Sequence, residues 1–433
     1  MKFVERYEKS TRSWVQMAVF VTVGILVAML PQSADAGKWQ GEETSRDGVT
    51  YVVNPCQPIE SPKNHELEEL WSIGGDTDDE DEFFGVITRI LTDEAGNVYI
   101  LDMQLSEVKV FAKDGSFVRT IGREGEGPGE FKLPVSMFMT EDGNIAVMQI
   151  QPGKIVLLTP EGEAAGEHPI PKGNDGAFIT LVGGQAAGSN LVMAAAVSAF
   201  GEGKWSQTRY LASINGDGEE TSRYCEDTRT IEMAKAVLDD MEWDTFDRRW
   251  LVGPDGKVYA VTTYPDYRIH VWNSDGSVDR IIERAYTHRE RTGEEKKVIS
   301  DMMSIFAKQI PNCEVRITDY TKDIETLYVR DDGSLWVLTS DGSRDHPDGS
   351  LGTFDVFDRT GRFVRQVTLQ GEGEPLTDGY FFVKDKLYVV TDLLQAAMSL
   401  QSGGQAVPIG DDEPEPMSVI CYKIDGDFLA SSQ

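Results

Sequence analysis

Three aspartates in one short loop are the side chains of this sequence whose spacing best suits a metal ion. Asp341, Asp345 and Asp348 lie within eight positions that glycines interrupt. Carboxylates in such a loop could wrap a hard cation such as Ca²⁺. The alternative is an ordinary hairpin loop, since EF-hand spacing is absent, Arg344 would compete, and such loops are often rich in Asp and Gly. We treat the three aspartates as a candidate Ca²⁺ site and predict no other cofactor.

The histidines do not form a recognisable metal or catalytic motif. The chain has five: His65, His168, His270, His288 and His346. No two have a spacing such as H-x-x-x-H, and no nucleophile elbow, P-loop or dinucleotide fingerprint stands out. We therefore predict no catalytic residue. Whether the chain is an enzyme stays open, with a non-enzyme favoured.

The chain also contains four cysteines: Cys56, Cys225, Cys313 and Cys421. They lack C-x-x-C spacing, which excludes the short-spaced zinc and redox signatures. In an oxidising compartment they allow two disulfides in three connectivities, and the alternative is four buried thiols. We predict Cys225–Cys313, between segments that follow two consecutive repeats. We also predict Cys56–Cys421, between the N-terminal region and the last repeat.

Residues 1–36 have the pattern of a secretory signal peptide. Basic residues precede an apolar run from Trp14 to Leu30, and Ala34 and Ala36 form a small-x-small cleavage site. We expect cleavage before Gly37 and a periplasmic or secreted chain. If the apolar run were retained as an anchor, the rest would still lie outside the cytoplasm.

The charge balance restricts the partners. The formal net charge is −32, which argues against nucleic acid and against adhesion to an anionic bilayer. Long-range attraction instead favours a protein with a basic surface or another cationic ligand.

A repeated pair of glycine turns organises the chain after residue 65. Each copy has the pattern strand, turn, strand, longer loop, strand, turn, strand, with β-branched and aromatic residues in the strands. Units of this kind, about 45 residues long, have the dimensions of propeller blades. The six pairs of turns contain Gly96 and Gly115, Gly143 and Gly162, Gly188 and Gly218, Gly256 and Gly276, Gly333 and Gly361, and Asp385 and Gly426.

The chain ends predict how the ring closes. Little sequence follows the last turn, so the sixth blade lacks an outer strand, whereas a strand from Leu67 to Ile73 precedes the first repeat. If that strand completes blade six, the termini join and an exposed sheet edge is removed. We predict an all-β, six-bladed β-propeller over residues 65–433, after a lead segment, 37–64. The alternative is two unrelated β domains in tandem.

Three segments interrupt the repeat. Residues 286–312, between blades 4 and 5, contain the capping box Thr292-Gly-Glu-Glu295 and an apolar helical face. We expect a helix that covers a propeller face or rim, with a partner-binding helix as the alternative. Residues 395–416 are predicted to be a flexible loop inside the last blade. A short helix is expected between Ile231 and Trp243.

The segment Gly122-Arg-Glu-Gly-Glu-Gly-Pro-Gly-Glu-Phe-Lys-Leu-Pro134 resembles the inter-blade linker of NHL-repeat proteins and, more closely, of bacterial secreted six-bladed β-propellers related to them. The resemblance covers about residues 65–425 and implies that Phe131 and Pro134 wedge between blades. Asp102 matches the first residue of the NHL pattern, but Leu105 and Glu107 replace the usual Asn and Arg. The resemblance therefore implies a fold and not a functional subgroup.

Two classes of function are compatible with these observations. The first is a non-catalytic extracytoplasmic binding or scaffold module, which includes a subunit of an envelope complex. The alternative is a metal-dependent hydrolase or lyase of the gluconolactonase-like propeller type, with a metal held by converging side chains on the central axis.

Overall fold

A computed structural model describes residues 37–171, 178–243, 246, 249–308, 310–402 and 416–424. The predicted signal peptide, most of the predicted loop 395–416 and the last repeat turn lie outside these residues. Among the described residues, every helix is too short or too polar to cross a membrane.

Four strands precede the repeats. They are β1 (Glu42–Arg46), β2 (Val49–Asn54), β3 (Lys63–Glu66) and β4 (Glu68–Gly74). The first three repeats then form three four-stranded antiparallel sheets. Blade 1 contains β5 (Ile87–Thr92), β6 (Val98–Asp102), β7 (Glu107–Phe111) and β8 (Phe117–Ile121). Blade 2 contains β9 (Pro134–Met139), β10 (Ile145–Gln149), β11 (Lys154–Leu158) and β12 (Ala164–His168). Blade 3 contains β13 (Phe178–Ala187), β14 (Asn190–Gly201), β15 (Lys204–Ile214) and β16 (Glu220–Glu232).

The second half of the chain forms three more blades with longer connections. Between blades 3 and 4 lie β17 (Val237–Asp239) and α1 (Asp240–Trp243). Blade 4 contains β18 (Trp250–Val252), β19 (Val258–Ala260), β20 (Arg268–Trp272) and β21 (Val278–Arg284). Next come α2 (Gly293–Ala307) and β22 (Glu314–Arg316), which pairs with β17. Blade 5 contains β23 (Ile324–Val329), β24 (Leu335–Thr339), β25 (Ser350–Phe357) and β26 (Phe363–Gln370). Blade 6 contains β27 (Gly379–Val383), β28 (Lys386–Val390) and β29 (Ser418–Lys423), with α3 (Leu393–Gln401) between the last two.

Side-chain chemistry explains the tight turns. In the first, the Asp93 carboxylate accepts a hydrogen bond from the Asn97 backbone N–H at 2.8 Å. Gly96 adopts a φ of +88° there, which a residue with a side chain rarely does. Similar Asp, Asn and Gly chemistry recurs in the turns of other blades.

The core consists of six hydrophobic clusters, each between two neighbouring blades. They join blades 1 and 2, 2 and 3, 3 and 4, 4 and 5, 5 and 6, and 6 and 1. Because each sheet is covered on both faces, its second strand can be buried along its whole length, as β6, β10 and β24 are. The ring is closed, and its six blades confirm the fold predicted from the turn pattern.

The closing strand is also confirmed. β4 pairs antiparallel with β29, which places Ile73 opposite Val419 and Trp71 opposite Cys421. Ile73 and Trp71 pack in the cluster between blades 6 and 1. The N-terminal strand therefore supplies the outer edge of blade 6.

The lead segment forms a belt that the sequence did not predict. We call Glu42–Glu66 the belt: β2 pairs in parallel with the outer strand of blade 4, and β3 pairs in parallel with the outer strand of blade 5. Asn54, which is buried, connects these two blades. Its side-chain amide donates to the carbonyls of Glu283 and Gly361, at 3.1 and 2.9 Å, and its side-chain oxygen accepts from Phe363 N at 2.8 Å.

The linker motif acts as predicted between blades 1 and 2. Phe131 is fully buried in their shared cluster. Gly122 has a φ of +72°, and a Cβ there would lie 2.5 Å from the Phe131 ring. The Glu130 carboxylate accepts from Gly127 N at 2.8 Å and from Arg123 Nε at 2.7 Å, which holds the crossover.

The helical predictions have mixed outcomes. The capping box of α2 is present, with Glu295 N donating to Thr292 Oγ1 at 3.2 Å and Thr292 N to the Glu295 carboxylate at 2.7 Å. The short helix expected between blades 3 and 4 is reduced to one helical turn and α1, because β16 extends to Glu232. The flexible-loop prediction is wrong at its start: α3 occupies Leu393–Gln401, where Ala396 packs on the core and Met398 is buried.

Candidate functional site

The topology separates short turns from long connections. Because the strands of each blade are antiparallel, its two glycine turns lie at one end of the sheet. The connections between the second and third strands, and those between blades, lie at the other end, which we call the loop face. This face carries α1, α2 and α3. Loops on a rigid scaffold are the usual place for binding residues.

Blade 3 extends beyond its neighbours at the loop face. Its strands have 10 to 13 residues, whereas those of blade 1 have 5 or 6. We call residues 196–209 and 227–232 the blade-3 arm. The six residues from Ala196 to the end of β14 add roughly 20 Å of strand.

Two aromatic side chains lie near the tip of the blade-3 arm. Phe200 is 68% exposed. It is paired across the hairpin with Trp205, and the two rings stack with centroids 6.4 Å apart. A large apolar side chain this exposed contributes little to folding, because most of its surface remains in water.

A cavity of about 240 Å³ lies between the blade-3 arm and the connection to blade 4. Its apolar lining consists of Trp205, Ile231, Val237 and Leu238. Its charged lining consists of Arg209, Arg229, Lys235, Glu232, Asp239 and Glu242. A wall with apolar groups and both signs of charge suits an amphipathic protein segment better than a lipid chain or a polyanion.

A buried ion pair fixes the outer wall of this cavity. The Arg291 guanidinium pairs with the Asp240 carboxylate at the start of α1, and both side chains are less than a tenth exposed. The other carboxylate oxygen of Asp240 accepts from Thr318 N at 2.7 Å. These contacts tie the connection before blade 4 to the insertion after it.

The insertion is bonded to blade 5 through a second network. Arg344 Nε donates to Glu295 of α2 at 2.7 Å, and Arg344 Nη1 donates to Glu325 of β23 at 2.7 Å. Burial acts to raise the pKa of Glu325, but Lys322 and Arg344 outweigh it and hold the pKa below its usual value. The helix therefore covers part of the loop face, as predicted.

One histidine at the loop face is oriented by a buried acid. His288 Nδ1 lies 2.9 Å from Asp323 Oδ1; His288 is partly exposed and Asp323 is buried. The hydrogen bond to Asp323 raises the pKa of His288. Burial raises the pKa of Asp323, although His288 opposes this. The pair gives the loop face a histidine whose charge depends on pH.

Two of the three predicted calcium ligands converge, but they do so on an arginine side chain. Arg289 pairs with both Asp341 and Asp345, so a guanidinium occupies the position where a cation was expected. Asp348 is exposed near the end of the loop. Among the described residues, which include this loop, no group of three or more His, Cys, Asp or Glu is placed to hold a metal ion.

The cysteines also differ from the prediction, since none of the four takes part in a disulfide. Cys421 faces the core between blades 6 and 1, and burial raises its pKa to about 12. Cys56 follows β2 on the outside of blade 4. Cys225 lies in the outer strand of blade 3, whereas Cys313 precedes β22. In each proposed bridge, one cysteine therefore lies in a strand of a blade and the other in a connection outside the strands.

Comparisons with known proteins agree with the propeller architecture. The DUF5128 family model, described as a 6-bladed beta-propeller, matches residues 60–166, from before β3 into β12. No curated protein matches the chain in sequence.

Solved structures with low sequence identity also resemble the chain. A DUF4221 family member from Bacteroides vulgatus is 11% identical, covers 83% of this chain and 98% of its own, and has a TM-score of 0.46. A Bacteroides fragilis protein thought to be exported is 12% identical, with coverages of 84% and 100% and a TM-score of 0.45. The calcium-binding protein regucalcin from Agrobacterium tumefaciens is 11% identical, with coverages of 84% and 97% and a TM-score of 0.42.

Sequence reasoning missed the blade-3 arm. Its signal is the long run from Leu191 to Ala199, which has no turn residue. In the other copies, a turn follows the second strand after about five residues. A strand that continues past that point has to leave the body of the propeller.

Proposed function

We propose that this chain is a non-catalytic binding module outside the cytoplasm, and that its loop face, centred on the blade-3 arm, binds a basic segment of another envelope protein. The observation that carries the proposal is the exposed pair Phe200 and Trp205 next to the amphipathic cavity. Exposed aromatic side chains surrounded by charged groups are typical of interaction sites.

Rigidity supports the same proposal. The Asp240–Arg291 pair holds the connection beside the cavity at a fixed position, and the Arg344 network holds α2 against blade 5. A preformed surface loses less conformational freedom on binding than a flexible one, so more of the contact energy remains as affinity.

The charge supports a basic partner. A net charge of −32 attracts cationic surfaces. Salt limits the range of this attraction, because the screening length is about 10 Å at 0.1 M ionic strength. We therefore expect the association rate to fall as salt rises. The extracytoplasmic location rests on the signal-peptide pattern of residues 1–36.

Site-specific photocrosslinking in cells tests the proposal. A photoreactive phenylalanine analogue placed at Phe200 should give an adduct with an envelope protein that has a basic segment. The same analogue at Phe83, which is 56% exposed before β5, is the matched control and should give little adduct.

A variant series measures the contribution of the arm to binding. The double variant Phe200→Ser, Trp205→Ser should reduce recovery of that partner at least tenfold, which corresponds to about 1.4 kcal/mol, while Phe83→Ser should leave recovery unchanged. Equal adduct yields at both positions, or a partner found only in the cytoplasm, would contradict the proposal.

A further inference from the structure

We propose that the axial channel contains a binding site for a small oxyanion, a carboxylate or a phosphate, at Arg89. The site is separate from the blade-3 arm, and the inference does not depend on the function proposed above. It rests on the register of the innermost strands and on the surroundings of one guanidinium group.

The first strand of each blade is the innermost one, because five of the six pairs of neighbouring blades contact each other through these strands. In four of the six blades this strand has a β-bulge at the same register position, near the loop face. The bulged residues, which have no partner in the second strand of their blade, are Thr88, Val135, Val182 and Glu325. The repeated bulge marks one level of the channel.

Each blade contributes one residue to a ring at this level. It is the residue that follows the bulge or, in the two blades without a bulge, the residue at the corresponding position in, or directly before, the first strand. In blade order the ring contains Arg89, Ser136, Gly183, Arg249, Thr326 and Gly379. Four members are small, which leaves space beside the two arginines. Blades 1 and 4 stand on opposite sides of a ring of six, so the arginines come from opposite walls.

The side chains at this position point toward the next blade around the ring. Ser136 Oγ donates to Gly184 O in blade 3 at 3.0 Å, and Arg249 Nη1 donates to Ile324 O in blade 5 at 3.3 Å. Arg89 pairs with Leu101, which packs in the cluster between blades 1 and 2. Its side chain therefore lies between the innermost strands of these two blades.

Arg89 differs from Arg249 in having no partner among the described residues. Its Nε is buried without a hydrogen bond, as that of Arg249 is, but no carboxylate or carbonyl among the described residues pairs with the rest of the Arg89 guanidinium. Burial lowers the pKa of Arg89. Part of the side chain remains accessible, and on an innermost strand that accessible space is the channel.

An unpaired buried charge is unfavourable unless a ligand compensates it. A guanidinium is a planar fork of donors that matches a carboxylate or phosphate with two parallel hydrogen bonds. In a chain of net charge −32, an arginine kept away from carboxylates is the place where an anion would bind. The ligand class is therefore an oxyanion small enough to enter between the ring residues.

Thermal unfolding of the mature chain tests the site. The melting temperature is measured in sodium phosphate, sodium acetate and sodium chloride at equal ionic strength, for the wild type and for Arg89→Gln. Phosphate, acetate or both should raise the wild-type Tm above its chloride value by at least about 2 °C. The two oxyanions distinguish a phosphate ligand from a carboxylate ligand. The Arg89→Gln protein should lose this extra stabilisation.

Two comparisons separate binding at Arg89 from the general effect of salt. Phosphate stabilises folded proteins generally, but that effect should be the same in Arg89→Gln and in the exposed-arginine control Arg316→Gln. In chloride alone, Arg89→Gln should be at least as stable as the wild type, because it removes an uncompensated charge.

If Arg89→Gln fails to fold, Arg89→Lys is the second variant. It keeps the charge but loses the planar fork of donors, so it should show a weaker oxyanion response. Equal oxyanion responses in the wild type and the Arg89 variant that folds, or an Arg89→Gln protein less stable in every salt, would overturn the proposal.

Discussion

A single buried carboxylate organises the loop-face end of blade 1. Asp102 accepts hydrogen bonds from Gly85 N at 2.7 Å, Val86 N at 3.2 Å and Leu105 N at 2.9 Å. It therefore fixes both the entry of the first strand and the turn after the second. A buried acceptor with several backbone donors is well satisfied, which explains why an acidic residue is tolerated in the core.

The equivalent position in other blades uses different chemistry for the same purpose. Gln149 in blade 2 accepts from Lys132 N and donates to Pro152 O, each at 2.8 Å. Thr339 in blade 5 accepts from Gly342 N at 2.9 Å. Sequence comparison with the NHL pattern therefore found Asp102 but not its equivalents, since the required hydrogen bond can be supplied by several residue types.

The His288–Asp323 pair predicts a pH dependence of stability. The pKa of His288 is raised in the folded chain above its unfolded value of about 6.5. Its contribution to stability is therefore fully present below about pH 6.5 and is lost as the pH rises through the folded pKa. Urea unfolding should show that His288→Gln is most destabilising relative to the wild type near pH 6, with a smaller difference near pH 9.

The Asp323→Asn variant provides the control for this coupling. Without the carboxylate, the pKa of His288 should return toward its ordinary value, and the extra stability below about pH 6.5 should disappear. If the difference between the wild type and His288→Gln is constant from pH 6 to pH 9, the assigned coupling is wrong.

At the scale of elements, the belt could not be recognised in the sequence. β3 has the sequence Lys-Asn-His-Glu, which has no apolar residue and no strand signal. It forms because its backbone pairs in parallel with the outer strand of blade 5, whose edge would otherwise have no partner strand. Such pairing depends on an edge formed by residues about 300 positions later, so local patterns carry no information about it.

The belt predicts a strong effect for one buried amide. Asn54→Ala removes the hydrogen bonds that join β2 to blades 4 and 5 and leaves Phe363 N buried without its acceptor. We expect a loss of about 2 to 4 kcal/mol in the free energy of unfolding, measured by urea denaturation.

A second asparagine serves as the matched control for the belt. Asn144 lies in an exposed glycine turn, where its amide contacts Asp142. Asn144→Ala should cost less than about 1 kcal/mol. Equal effects of the two substitutions would mean that the belt does not stabilise the propeller.

At the scale of the whole molecule, the sequence predicted the features that repeat from blade to blade. It did not predict the candidate binding site at the blade-3 arm. The blade count follows from glycine turns that recur because every blade needs the same backbone geometry, as at Gly96 and Gly333. The closing strand follows from the apolar residues around Ile73, which precede the first repeat and belong to no copy of it.

The loop face has no such repeat, so the sequence predicted the capped helix α2 there but not the side-chain contacts of the loops. The aspartate loop binds Arg289, whose position depends on the fold of an insertion more than 50 residues earlier. The cysteine pairs were chosen by blade order, which does not determine the direction in which each side chain points. The blade-3 arm and Arg89 become visible only when the strands are aligned in register.

The propeller depends most on its N-terminal strand closing the ring, and one thiol tests this closure. Trp71 lies directly opposite the buried Cys421 across β4 and β29, so the introduced thiol of Trp71→Cys should form a disulfide with Cys421 under oxidising conditions. Ser72→Cys, one residue along and on the other side of the strand, is the control and should not. Peptide mapping without reductant should find that bridge only in Trp71→Cys. Its absence there, or a bridge to a different cysteine, would contradict a propeller whose last blade is completed by β4.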